Sequence, residues 1–428
     1  MSLCLLALCC ALAAQPLRLM AATPTPYGEQ FVRLGESWPD AGVVKPWPEA
    51  DPAADAAPGS ASFERQLELL EGEGGPYADT LAEPLADLAR LHRRNGNLLQ
   101  AQQAYQRALH VVRINEGLYS ENQVPILREL FETYRMTGDM ATLDARYEYF
   151  FRLYGSGRPP YTPVRLNAAL EYLRWQREAV RLELDEQETR RMFDMYSLNE
   201  QLLEDVAQDP AVDFQVYRAL TLSQLRNLYL LRDRYKPNLE TSTAGGSVGI
   251  PTAWDEKDTY QHRLESYQRT ALSRGRTLLE ELIERAAPDQ LQERAGVWLE
   301  LADWNQWNDR GAEAQEAYAQ VEKLLEQAGQ SDLLQQWLGE PVELPANGAF
   351  WQPRTPGDDS APIVIQARFD VSASGKAQNI EAVALASENE SKAGRVRRNL
   401  AKTRFRPRIV DGEPQAELHL QRDYQVMK

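Results

Sequence analysis

The stretch Gly75-Pro-Tyr-Ala-Asp-Thr-Leu-Ala-Glu-Pro-Leu-Ala-Asp-Leu88 returns 42 residues later as Gly117-Leu-Tyr-Ser-Glu-Asn-Gln-Val-Pro-Ile-Leu-Arg-Glu-Leu130. One offset aligns Gly75 with Gly117, Tyr77 with Tyr119, Leu85 with Leu127 and Leu88 with Leu130, and it goes on through Arg93 and Arg135, Gly96 and Gly138, and Tyr105 and Tyr147. A fixed offset held over so many positions is the mark of a structural repeat. Tyr161, in Pro159-Pro-Tyr-Thr-Pro163, continues the series once more in a unit that has otherwise drifted.

Each unit reads as a helical hairpin. Leu81, Leu85, Leu88 and Leu91 fall on one face at helical spacing. Asn95-Gly96-Asn97 breaks the helix, glycine being free to adopt the turn conformation. Ala101, Ala104, Tyr105, Ala108 and Leu109 then form a second face, in which alanines let two helices approach and the tyrosine fills the space beside them. One hairpin cannot bury both faces, whereas stacked neighbours can. Leu85, Leu88, Gly96, Ala101, Tyr105 and Ala108 follow in order the small/large pattern of the tetratricopeptide repeat, and the stretch resembles its 42-residue form. The second unit keeps Leu127, Leu130, Tyr134, Gly138 and Tyr147, with Leu143 at a position where alanine is usual. A later stretch, Trp298, Leu301, Ala302, Gly311, Ala314 and Tyr318, is similar with a turn two residues shorter. Leu198 to Tyr235 and Tyr260 to Ala287 are amphipathic and expected to be helical. The resemblance implies a solenoid whose concave groove binds a peptide or protein.

The pattern changes after Pro341. Ile363, Ile365, Ala367, Phe369 and Val371 alternate with polar residues, which predicts a half-buried strand. Gly375 turns the chain, Ile380 to Leu385 returns, Glu388 to Lys402 reads as a helix, Asp411-Gly412 makes a turn, and Ala416 to Val426 alternates again. Strand, strand, helix, strand gives a small sheet covered by one helix. The glycine hairpin, Phe405-Arg406-Pro407, the Asp411-Gly412 turn and a last strand ending Tyr424-Gln-Val426 resemble the C-terminal domain of TonB, the energy-transducing protein of Gram-negative envelopes. That resemblance implies a domain that pairs an extended partner segment with an exposed sheet edge. The expected fold class is therefore mainly α: a tetratricopeptide-like helical solenoid followed by a small α+β TonB-like domain.

Residues 3–14 are a short apolar run closed by Ala11-Leu-Ala-Ala14, with a second small-residue site at Ala21-Ala22. The run suits a cleaved secretory signal and is too short to span a bilayer. Removal of residues 1–22 also removes Cys4, Cys9 and Cys10, the only cysteines. The expected order is a signal peptide at 1–22, a Pro/Ala-rich linker at 23–62, helical repeats at 63–340, a linker at 341–360 and the α+β domain at 361–428. A periplasmic location follows from the signal. An uncleaved N-terminal tether, and with it an accessory role in TonB-type energy transduction to the outer membrane, is the alternative.

The chain of 428 residues carries 47 basic against 63 acidic residues, a net charge of −16, which argues against nucleic acid as the partner. Residues 361–428 hold 12 basic and 8 acidic residues, net +4, so the remainder carries −20. Two basic groups are candidate contacts for a partner. Arg90, Arg93, Arg94, Arg128 and Arg135 would face the groove, either clamping acidic side chains or a terminal carboxylate of a partner or lying on solvated helix faces paired with nearby Glu and Asp. Arg404, Arg406 and Arg408 alternate along one strand, either to hold an anionic ligand such as peptidoglycan carboxylates, lipid headgroups or an acidic protein, or to dock on the acidic helices, or simply to be solvated. Gly245-Gly-Ser-Val-Gly249 lacks the lysine and spacing of a phosphate loop and reads as a connector. The four histidines are scattered, and no metalloprotease, nucleophile-elbow or paired-carboxylate motif occurs. No cofactor, metal site or catalysis is expected. The expected partner is a protein or peptide of the cell envelope, with peptidoglycan and an outer-membrane protein segment as further candidates and at most a peripheral contact with the membrane. An envelope hydrolase is the remaining alternative.

Overall fold

A computed structural model describes residues 60–184, 188–209, 212–235, 256–350, 363–384 and 389–426. The export signal, nearly all of the Pro/Ala-rich linker, the glycine stretch at 245–249 and the end of the second linker lie outside these residues. The described chain is mainly helical, with a small C-terminal region of strands.

After α1 (Ser60–Gly74), a single 3-10 turn at Asp79–Leu81 leads into α2 (Ala82–Arg94), followed by α3 (Leu98–Glu116), α4 (Gln123–Thr137) and α5 (Met140–Leu153). These helices stand at the positions the 42-residue offset predicts. The turns agree as well: φ is 84° and 96° at Gly75 and Gly117, and 76° and 72° at Gly96 and Gly138. Such values are strained for any side chain but cost glycine nothing. Leu85, Leu88, Tyr105, Leu127, Leu130 and Tyr147 are all buried. Tyr147 bridges neighbouring helices, stacked on Phe131 at 4.2 Å and on Trp175 at 4.7 Å.

The helices continue as α6 (Pro163–Arg181), α7 (Glu188–Ala207), α8 (Phe214–Arg234), α9 (Glu256–Arg285), α10 (Leu291–Trp307), α11 (Gly311–Gln327) and α12 (Ser331–Leu338). Each packs against the next in sequence, and α6 also meets α8. The later hairpin is α10 and α11, and its turn uses Asp309 at φ 59° where the earlier units use glycine. Leu301, Ala302, Ala314 and Tyr318 are buried there, while Trp298 is half-buried. Every residue from Leu220 to Leu231 is buried, so α8 is enclosed on all sides.

The C-terminal part contains β2 (Ile363–Val371), β3 (Ala377–Ala384), α13 (Glu390–Lys402), β4 (Arg404–Arg406), β5 (Arg408–Val410), β6 (Glu413–Gln415) and β7 (Glu417–Val426). β2 is the centre of an antiparallel sheet of order β3-β2-β7, in register Ile365 to Ala384 and Ile365 to Tyr424. Ile365, Ala367, Phe369 and Val371 share a core with Val396 and Leu400 of α13.

The start of the second linker needs correction. Val342–Leu344 is a strand, β1, paired antiparallel with β4, and Ala349 is 2% exposed. Three residues bracketed by Pro341 and Pro345 are too few to display a period. Long-range pairing with β4 and burial of Leu344 hold them extended.

Candidate functional site

The first helix of each successive pair, α2, α4, α6 and α8, is joined to the next by arginines. Glu129 of α4 gathers Arg93 at 2.6 Å, Arg90 at 3.3 Å and the Tyr105 hydroxyl at 3.1 Å. Arg90 also pairs with Asp87 in its own helix. Burial, then Glu129, raises the Tyr105 phenol pKa above its ordinary value. Arg128 of α4 reaches Glu171 of α6 at 2.7 Å, and Arg135 engages both oxygens of Glu178. Arg177 of α6 donates to Ser223 Oγ at 3.0 Å and Asn227 Oδ1 at 2.8 Å on α8. Arg93, Arg135 and Arg177 stand 42 residues apart and play the same part at successive steps.

Of the two readings of Arg90, Arg93, Arg128 and Arg135, these contacts fit pairing with nearby acids rather than a clamp for a ligand. Their partners come from the chain itself, mostly from the following unit. Arg135 is 5% exposed and Glu178 is 3% exposed. Burial opposes the Arg135 charge, but Glu178 outweighs it and the pKa rises. A guanidinium so committed has little left to offer a ligand. Arg94 is exposed at the end of α2. Glu132 of α4 is the open acid on this face, with a side chain 57% exposed. Enough protein surrounds it to raise its carboxyl pKa through desolvation, against the lowering influence of Arg135.

The basic strand is also used within the chain. Arg406 of β4 makes a buried two-bond contact with Asp303 of α10, at 2.8 and 2.6 Å, and donates to the Trp337 carbonyl at 2.6 Å. Tyr318 of α11 donates to the same aspartate at 2.9 Å. Arg404 pairs with Asp309 at 2.9 Å, and Arg408 lies 3.5 Å from Glu417 within the strand region. Gln306 donates to the carbonyls of Ser374 and Phe405 at 3.0 Å each. An anionic ligand at Arg404 and Arg406 is thus replaced by docking on α10, one of the expected alternatives. Glu343 of β1, which sequence reasoning missed inside a presumed linker, accepts from Tyr424 at 2.7 Å and Arg422 at 3.2 Å.

An open cleft of about 770 Å³ lies among α8, α10 and α12, lined by Arg218, Leu299, Glu300 and Trp337 among others. A smaller one, about 360 Å³, lies at the seam with the strands, between Asp309 and Lys376. Among the described residues no group of three or more His, Cys, Asp or Glu side chains is placed to hold a metal ion. No helix among them is long and apolar enough to cross a membrane. No protein-family model matches the chain, and no curated protein matches it.

Proposed function

We propose that this chain is a non-catalytic, protein-binding adaptor of the cell envelope. On this reading α2 to α11 form a tetratricopeptide-type solenoid that holds an extended partner segment along the face of α2, α4 and α6. The strand domain, TonB-like in element order, offers a second docking edge. Recurrence carries the reading: the turn glycines and the buried leucine and tyrosine positions repeat in conformation as well as in sequence, and Arg93, Arg135 and Arg177 each tie their helix to the first helix of the next pair, though to a different partner each time. Stacked repeats of this kind present extended surfaces suited to polypeptide ligands. Support for the second edge comes from the outer strands β3 and β7, where Val383 and Leu418 are 61% and 63% exposed. The short apolar N-terminal run supports export to the periplasm.

Affinity capture from an envelope extract tests the reading, with the full-length chain compared with Glu132→Lys. Glu132 makes a long contact, 3.9 Å, to Arg135 and lies in the field of Arg93 and Arg174, so thermal unfolding of the variant is measured beside the capture. Loss of the captured protein with unchanged thermal unfolding is expected. Equal capture by both proteins would contradict a ligand on this face.

A further inference from the structure

After β1 the chain does not run to the strand domain directly. Residues 345–350 run against α6, α8 and α10. The Asn347 carbonyl accepts from Arg226 Nε of α8 at 2.8 Å, and its carboxamide nitrogen donates to Glu300 Oε2 of α10 at 3.0 Å. Gly348 has φ 80°, and Ala349 is buried in the helical core. The Phe350 ring meets Tyr229 of α8 edge-on at 6.4 Å and lies under the Arg181 guanidinium of α6 at 5.3 Å. These are the elements of peptide recognition: one main-chain hydrogen bond, one side-chain amide read by a carboxylate, and one aromatic anchor. The segment has no regular secondary structure of its own and touches three alternate helices, α6, α8 and α10.

We propose that the α6–α8–α10 face is a peptide-recognition site that the chain itself occupies with residues 345–350, and that its external ligand is a peptide that turns at an Asn-Gly pair, with phenylalanine three residues after the asparagine. The proposal rests on the adaptor reading and specifies its ligand. Glu300 also borders the 770 Å³ cleft that continues to Trp337 and Arg218, so a longer external chain has room beyond the tethered one. Tethering gives the resident segment an effective concentration in the millimolar range, and an outside peptide must outcompete it.

The test uses the full-length protein and a fluorescein-labelled peptide, Pro-Ala-Asn-Gly-Ala-Phe, the sequence of residues 345–350. Fluorescence anisotropy should show Asn347→Ala/Phe350→Ala binding it about tenfold more tightly than the parent chain, because the internal competitor is weakened. Adding Arg226→Ala to that variant should remove the gain, as should alanine at the peptide's Asn and Phe. If the folded double variant binds no better than the parent, the site is refuted. Hydrogen exchange on the parent chain covers the case in which the variant misfolds. Millimolar peptide should speed exchange of the 346–350 amides while α8 stays protected, and unchanged exchange there would overturn the proposal. An envelope partner lost with Glu132→Lys but indifferent to Asn347→Ala/Phe350→Ala would refute this site and leave the adaptor reading standing.

Discussion

Gly138 and Gly375 share a left-handed backbone, φ 72° and 71°, but differ in their surroundings. A methyl group at Gly138 would meet open space, whereas at Gly375 it would overlap the Phe405 carbonyl and Gln306. Gly138→Ala should therefore cost only the backbone term, about 1–2 kcal/mol in chemical denaturation. Gly375→Ala should cost more, because the seam between β4 and α10 must open. Glu300 gives a prediction in pH. Burial first, and then Asp303, raises its carboxyl pKa above the ordinary value. The folded protein then holds this proton more tightly than the unfolded chain. Its contribution to stability falls as pH rises from the ordinary carboxylate value through the raised one. Glu300→Gln removes the charge and keeps a carbonyl for Asn347. Its melting temperature should exceed that of the parent at pH 7 and match it near pH 4, where both groups are neutral. A variant less stable than the parent at pH 7 would show that the charge is needed.

At the level of elements, the hairpin α2–α3 and its successor were legible because helical periodicity, a glycine turn and a repeat offset all agreed at Leu85, Gly96 and Tyr105. The strands β2 and β7 were legible from alternation. β1 was not, since its extended form depends on pairing with residues some 60 positions away. The candidate arginines were found, but their partners were not. Arg135 finds Glu178 43 residues on, and Arg177 finds Asn227 50 residues on. The one available clue was that Glu129 and Glu171, both arginine partners, themselves stand at the 42-residue offset. The Arg135–Glu178 pair also sets an energetic test. Removing one member leaves a buried charge, so Arg135→Met should destabilise by about 3–5 kcal/mol in urea unfolding. Arg135→Met/Glu178→Leu should recover most of that loss, because an apolar pair avoids the desolvation cost. Equal damage in single and double variants would show that Arg135 acts through packing on Trp175, 5.2 Å away, rather than through the pair.

The whole molecule is coupled across one seam. Arg406 and Asp303 are 4% and 5% exposed, Ile409 of β5 joins the core of the helices, and β1 pairs with β4. Burial works against the Arg406 charge, Asp303 outweighs it, and the pKa is raised. Charge alone announced an attraction, with −20 on one side and +4 on the other, but not which residues would meet. Calorimetry should record one cooperative transition for the intact chain. Asp303→Asn, which leaves a buried guanidinium without its counter-charge, should separate an earlier transition of the strand domain. A single transition in that variant would mean that β1 and Ile409 suffice to bind the two parts.

The central claim, that the face built from α2, α4 and α6 grasps another polypeptide, is tested most directly by site-specific photocrosslinking in cells. A photoreactive phenylalanine analogue is placed at Glu132 on that face, or at Ala145, exposed on α5. A covalent adduct of higher mass at position 132 and none at 145 is the predicted result. No adduct at 132, or equal adducts at both positions, would contradict it.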